Sequence, residues 1–222
     1  MNKAKQTVPI VQRILSVNDN LAQENKNLLS SQGILAINVM ASPGSGKTSL
    51  ILRTIEALAD KVRIGVIEGD TAPVTIDADK VSSLNIPVVQ INTGGECHLD
   101  ASMIRRGMDA LNLKQIDLLI IENVGNLVCP AAFRLGEHKN IVIASIPEGD
   151  DKPYKYPNIY RGIDAMVLNK IDLLPYVEFN MDYFKAGVTA LNPGVRFFEL
   201  SCKTGEGLQN WSDWILEQVK EK

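Results

Sequence analysis

Apolar residues along this chain alternate between two patterns. Short runs are apolar at nearly every position, as in Ile34-Leu35-Ala36-Ile37-Asn38-Val39-Met40 and Leu118-Leu119-Ile120-Ile121. Between them lie longer stretches in which apolar residues recur every three or four positions. The first pattern suits strands of a parallel sheet buried on both faces; the second suits helices with one buried face. Strands are predicted at 34–40, 62–67, 86–91, 117–122, 140–146, 164–169 and 195–200, and helices at 49–58, 76–84, 99–111, 178–191 and 206–220. Ahead of them, Val8, Val11, Ile14, Leu15, Leu21, Leu28 and Leu29 recur at about helical spacing, and Gly33 supplies a stop. One or two amphipathic helices are expected there, either packed on the core or facing a partner. Strand–helix alternation with right-handed crossovers predicts an α/β fold with a mostly parallel central sheet and helices on both faces. With no internal repeat or composition break, the chain divides into a helical extension at 1–31 and one domain at 32–222.

Between the first strand and helix stands Ala41-Ser42-Pro43-Gly44-Ser45-Gly46-Lys47-Thr48. A glycine-rich loop between strand and helix offers backbone N–H groups and a helix N-terminus to a polyphosphate. This context reads as the phosphate loop of a P-loop NTPase, with Gly44, Ser45, Gly46, Lys47, Thr48 and Ser49 contacting nucleotide. Lys47 would reach the β/γ-phosphates and the Thr48 hydroxyl would ligate Mg²⁺. Ala41 stands where a glycine is usual, which is tolerable if the backbone there keeps φ negative.

Composition narrows the setting. The 222 residues are 45% hydrophobic, enough for a sizeable core, and carry a net charge of −3, which gives no bulk attraction to nucleic acid or anionic membrane. No apolar run approaches the roughly 20 residues that span a bilayer. Met1–Pro9 lacks the pattern of a signal peptide, and Cys97, Cys129 and Cys202 cannot all pair, so a cytoplasmic protein with free thiols is expected.

Asn169-Lys170-Ile171-Asp172, at the end of a predicted strand, matches the Asn-Lys-x-Asp loop that reads guanine. A carboxylate at Asp172 can accept from both N1–H and the 2-amino group of guanine, donors that adenine lacks in that arrangement. Lys170 would lie along the base, and Asn169 would tie this loop to the phosphate loop. Ser201-Cys202-Lys203 resembles the Ser-Ala-Lys loop on the other side of the base, with Cys202 a packed small residue. GTP is therefore expected over ATP. Glu122, Asp70 and Asp77 are candidates to complete the Mg²⁺ site with Thr48, although any one of them could serve as a helix cap or a solvated loop carboxylate. Asn126 stands where Ras-like proteins carry a water-orienting glutamine, which predicts slow hydrolysis.

Cys97-His98 and Cys129 follow two predicted strands whose loops emerge on the nucleotide edge. Two thiolates and an imidazole suit Zn²⁺ or Ni²⁺. Spacing alone leaves buried thiols and a surface imidazole equally open. His138, among polar neighbours, reads as an exposed loop histidine.

The phosphate loop, Asn92-Thr93-Gly94-Gly95-Glu96-Cys97-His98-Leu99-Asp100-Ala101, Glu122-Asn123-Val124-Gly125-Asn126-Leu127-Val128-Cys129-Pro130 and Asn169-Lys170-Ile171-Asp172-Leu173 together resemble the hydrogenase nickel-incorporation GTPases of the HypB family, in the SIMIBI class. The resemblance spans about residues 8–220. It implies that Cys97, His98 and Cys129 ligate metal, and that GTP and metal promote a homodimer. It also implies two partners, a HypA-type nickel and zinc chaperone and the precursor of the [NiFe]-hydrogenase large subunit. The histidine-rich tract and early cysteines of some members are absent, so nickel storage is not expected. Residues 71–76 also depart from the family pattern, which leaves Asp70 and Asp77 less defined than Glu122. Two other readings are a urease-accessory GTPase, whose Cys-Pro-His motif is missing here, and a regulatory GTPase with structural cysteines.

Overall fold

The computed structural model describes residues 10–71 and 84–222. The helix expected at 76–84, apart from Leu84, and Asp77 within it lie outside the described residues.

Seven strands form one sheet: β1 (Leu35–Ala41), β2 (Ile64–Asp70), β3 (Val88–Asn92), β4 (Leu118–Glu122), β5 (Lys139–Ser145), β6 (Ala165–Asn169) and β7 (Arg196–Glu199). Their order is β3-β2-β4-β1-β5-β6-β7 and every pairing is parallel. The α/β class and the parallel sheet are as expected. Because β1 lies inside the sheet with β4 on one side and β5 on the other, the chain leaves it at a switch in strand order. Ligand crevices of open α/β sheets form at such a point, beyond the C-terminal strand ends. The near-continuously apolar strands β1, β4 and β6 are buried throughout, whereas β3 and β7 at the two edges are partly exposed.

The described helices are α1 (Ile10–Ser31), α2 (Lys47–Leu58), α3 (Ala101–Asp109), two short turns α4 (Lys152–Lys155) and α5 (Pro157–Tyr160), α6 (Met181–Leu191) and α7 (Leu208–Lys220). On one sheet face, Leu50, Ile51, Ile55 and Leu58 of α2 and Trp211 and Ile215 of α7 pack on Ile37, Val39, Ile120 and Val167. The buried Trp211 indole donates to Thr54 Oγ1 at 2.8 Å, so its polar edge is not stranded in the core. The other face carries two clusters. Tyr160, Phe184 and Val188 cover β5 and β6, while Leu29, Ile104 and Met108 cover Ile67, Leu119 and Ile121.

From Ile10 the amphipathic segment at the start is one continuous helix, and its inner face packs on the core. Asn25, fully buried, donates to the carbonyls of Ala101 (2.8 Å) and Leu135 (3.0 Å) and accepts from Arg105 Nε at 2.8 Å. Asn18 donates to Arg134 O at 2.8 Å and accepts from Ala101 N–H at 2.9 Å. Buried amides with all these partners fix the register of α1 on α3, because any slip would strand them.

His138 corrects one expectation. It is half-buried beneath α1, where Nδ1 accepts from the Ala36 N–H at 3.0 Å and Nε2 meets Ser30 Oγ at 2.9 Å. Burial first, and then Lys222, Lys26 and Lys139, push its pKa down to about 4. The ring bonds that bury it come from residues about 100 positions away, which its polar sequence neighbours do not reveal.

Candidate functional site

Three loop clusters meet beyond the strand ends. The first follows β1. Gly44 and Gly46 hold φ of 78° and 103°, and a side chain on Gly46 would collide with the Asn169 amide. Ala41 lies in β1 with ordinary strand backbone, so its methyl group causes no strain. No side chain caps α2, which leaves its first N–H groups directed at a cleft of about 630 Å³. Lys47, Thr48 and Ser49 line this cleft from α2, Glu68 and Asp70 from β2, and Glu122 from β4. Thr48 Oγ1 donates to Glu122 Oε1 at 2.9 Å, bringing the expected Mg²⁺ hydroxyl and carboxylate together. Gly125 passes close to Lys47 Nζ, and a side chain there would crowd it.

Glu68 is a residue that sequence reasoning missed. It is buried and pairs in register with Glu122, so two carboxylates stand side by side on the cleft floor. The signal was Val66-Ile67-Glu68-Gly69-Asp70, an acidic residue inside a buried strand. A charge seldom survives there without a cationic or hydrogen-bonding purpose. Hard oxygen donors of this kind, with the Thr48 hydroxyl, suit Mg²⁺.

The second cluster joins β6 to the loop after β7. Asn169 Nδ2 donates to Ser45 O at 3.0 Å, and its Oδ1 accepts from the N–H groups of Lys170 (2.7 Å) and Cys202 (3.2 Å). One buried amide thus ties three loops. Lys170, at φ 61°, sends its ammonium to Gly44 O at 2.6 Å. Ser201 Oγ donates to Asp172 Oδ1 at 2.6 Å. Gly46, Ser49, Asn169, Lys170, Asp172, Leu173, Cys202 and Lys203 line a pocket of about 300 Å³, of a size for a purine base. Arg53, also not foreseen, braces this loop from α2 by donating to Cys202 O at 2.9 Å. The Cys202 thiol is buried, and that burial raises its pKa to about 11, as befits a packing residue.

The third cluster holds Cys97, His98 and Cys129. The loop after β3 turns through Gly94 and Gly95, at φ 64° and 100°, and Thr93 Oγ1 donates to Glu96 O at 2.7 Å. Cys129 opens a 3₁₀ turn, Cys129–Ala132. The ligand atoms of Cys97, His98 and Cys129 all lie within 4.8 Å of one another, and the two Sγ atoms are 2.7 Å apart. All three side chains are half-exposed. The Cys129 thiol and then burial raise the pKa of Cys97. His98 stacks on Phe133 with centroids 3.8 Å apart and planes at 27°, which sets the imidazole plane. No periodic pattern marked Phe133 in advance. Cys97 also lines the phosphate cleft, so the first and third clusters share a wall.

The profile described as "CobW/HypB/UreG, nucleotide-binding domain" matches residues 35–199. The chain belongs to the CobW/HypB/UreG family. Within it, the chain is 45% identical over 208 residues to the hydrogenase maturation factor HypB of Rhizobium leguminosarum bv. viciae, covering 94% of this chain and 69% of that protein. Two solved HypB structures share its P-loop NTPase fold. That of Archaeoglobus fulgidus is 40% identical with a TM-score of 0.86 over 92% of this chain and 99% of its own. That of Helicobacter pylori, solved in complex with nickel, is 39% identical with a TM-score of 0.87 over 92% and 95%. Among the described residues no helix is long and apolar enough to cross a membrane.

Proposed function

We propose that the protein is a GTP-hydrolysing metallochaperone of the cytoplasm that binds Ni²⁺ or Zn²⁺ and assists nickel insertion into a [NiFe]-hydrogenase. The observation that carries this reading is Cys97, which lines the phosphate cleft and stands in the metal-ligating cluster. Asp172, aimed by Ser201, accepts from guanine, which favours GTP over ATP. Mg²⁺ bound by Thr48, Glu122 and the neighbouring Asp70 would neutralise charge developing between the phosphates, and Lys47 would hold the β- and γ-oxygens. Asn126 does not line the cleft, consistent with slow turnover.

Three half-exposed ligands leave a tetrahedral ion one short. A second copy approaching across this face would complete the coordination, so GTP and metal together promote a homodimer. The maturation role of the relatives supports a HypA-type nickel and zinc chaperone as donor and the hydrogenase large-subunit precursor as acceptor. In this reading residues 1–31 form an extension to the GTPase domain at 32–222. A urease-accessory role is disfavoured because no proline separates Cys97 from His98.

Size-exclusion chromatography with a GTP analogue, GDP or no nucleotide, each with and without Ni²⁺, tests the reading. Dimer is expected to accumulate with analogue plus metal, and stoichiometric metal to vanish in Cys97→Ser/Cys129→Ser. A wild-type protein that binds no metal would make it a regulatory GTPase with structural cysteines.

A further inference from the structure

The chain runs from the nucleotide cleft to the metal cluster in a few residues, and two asparagines along that run bracket His98. Glu122 meets Thr48 on the cleft floor, and Asn123, Val124 and Gly125 form the adjoining wall. Asn123 Oδ1 accepts from the N–H of Leu99 at 3.3 Å and of Val124 at 2.9 Å, while Nδ2 donates to Asn38 Oδ1 at 3.2 Å. Three residues on, Asn126 Nδ2 donates to the Cys97 carbonyl at 3.2 Å and Oδ1 accepts from Val128 N–H at 2.8 Å. The backbone is thus gripped on both sides of His98, at the carbonyl before it and the amide after it. One grip originates on the wall of the cleft, at Asn123, and the other on the residue that follows that wall, Asn126.

The two grips differ in stiffness. Asn123 is buried, continues β4 through an N–H bond to Val39 O at 3.0 Å, and is anchored to β1 by Asn38. Asn126 is half-buried, lies beyond Gly125 and reaches the loop of Cys97 and the turn that leads to Cys129. A γ-phosphate that shifted Gly125 would therefore move Asn126 against a fixed Asn123. The distance between the loops of Cys97 and Cys129 would change with it. Loops of this kind order around γ-phosphate and Mg²⁺ and relax on hydrolysis.

We infer that Asn126 is the positioning residue that transmits the nucleotide state to the metal ligands, by holding the Cys97 carbonyl and the Val128 amide in one side chain. The inference rests on the proposed metallochaperone reading. It assigns Asn126 to coupling rather than to water orientation or metal ligation.

The test is a Ni²⁺ titration by calorimetry of the full-length protein, in GDP and in a non-hydrolysable GTP analogue. Wild type is compared with Asn126→Ala and Asn126→Asp. Aspartate keeps the acceptor for Val128 and replaces only the donor facing the Cys97 carbonyl. Alanine adds no charge, so a shared outcome in the two variants separates the lost hydrogen bond to the Cys97 carbonyl from the added carboxylate. For wild type the affinity ratio between the two states is expected in the range typical of coupled sites, about 5- to 150-fold. In both variants it should fall toward one, with nickel stoichiometry, nucleotide affinity and melting temperature retained. Variants that keep the wild-type ratio would overturn the inference, as would equal weakening in both states, which marks a merely structural contact. A wild type that binds nickel equally in both states would remove the coupling itself, and one that binds none would remove the metallochaperone reading beneath it.

Discussion

The base pocket and the metal cluster lie on one edge of one sheet and are built in opposite ways. Around the base, Asn169 and Ser201 are buried, and Asn169, Lys170, Asp172 and Ser201 are joined to the phosphate loop and to one another by bonds of 2.6 to 3.2 Å. Around the candidate metal cluster, Cys97, His98 and Cys129 are all half-exposed and sit on two separate loops. A pocket tied in advance spends little ordering entropy when a base arrives, so its polar groups discriminate. A half-open ligand set has room to change its coordination when a second molecule arrives. On the proposed function, recognition is fixed at one end of the cleft and exchange is permitted at the other.

The largest expected effect falls between the two regions. Lys47→Ala removes the ammonium proposed to hold the phosphates and should lower kcat by on the order of 100- to 1,000-fold, with an unchanged circular-dichroism melt. Near-normal turnover would mean that the cleft is misassigned. Next comes the rigid end. Asp172→Asn should weaken GTP binding by about 1–3 kcal/mol, roughly 5- to 150-fold, and favour xanthosine nucleotides, whose 2-oxo group accepts from an amide. Nickel binding in that variant should hold; if it moves too, the two regions are not separable. Unmodified protein that binds ATP as tightly as GTP would remove the distinction altogether.

A third prediction concerns acid. His138 has a folded pKa of about 4 against an ordinary 6.5. Between these values the unfolded chain takes up a proton that the folded chain refuses. The stability tied to neutral His138 is therefore complete above about pH 6.5 and is lost as pH falls toward 4. A loss of about 1–3 kcal/mol across that window, read from urea melts, should be absent from the corresponding difference in His138→Gln. The smallest effect tests the open end. Phe133→Ala removes the ring against His98 and should weaken nickel binding by about 0.5–1.5 kcal/mol without moving nucleotide affinity. A loss as large as that of Asp172→Asn would show the metal end to be as preorganised as the base end.

Much of this was legible in the sequence because it depends on local order. Apolar runs such as 118–121 mark buried strands, and glycines at 44 and 46 mark backbone that other residues rarely adopt. Even the nearness of Cys97 to Cys129 follows once the strands are parallel, since both loops must leave by the same edge. What stayed hidden depends on partners distant in the chain. Glu68 gains its meaning from the register that sets it beside Glu122, and His138 from a strand and a helix about 100 residues earlier. Asn126 was read for the residue it replaces, yet its side chain points to the other loop. Phe133 had no pattern at all, only a stacking partner.

Cys202 has a consequence for how the protein can be watched. Its thiol lies in the core with a pKa near 11, whereas Cys97 and Cys129 are half-exposed. Alkylating reagents act on thiolates that they can reach, so near neutral pH the labelling chemistry of the chain is that of the metal cluster. Mass shifts after exposure to iodoacetamide, long enough to offset the raised pKa of Cys97, should then count two modifiable sulfurs. Cargo that occupies them should shield both at once, making the native cysteines a built-in occupancy gauge with no added probe.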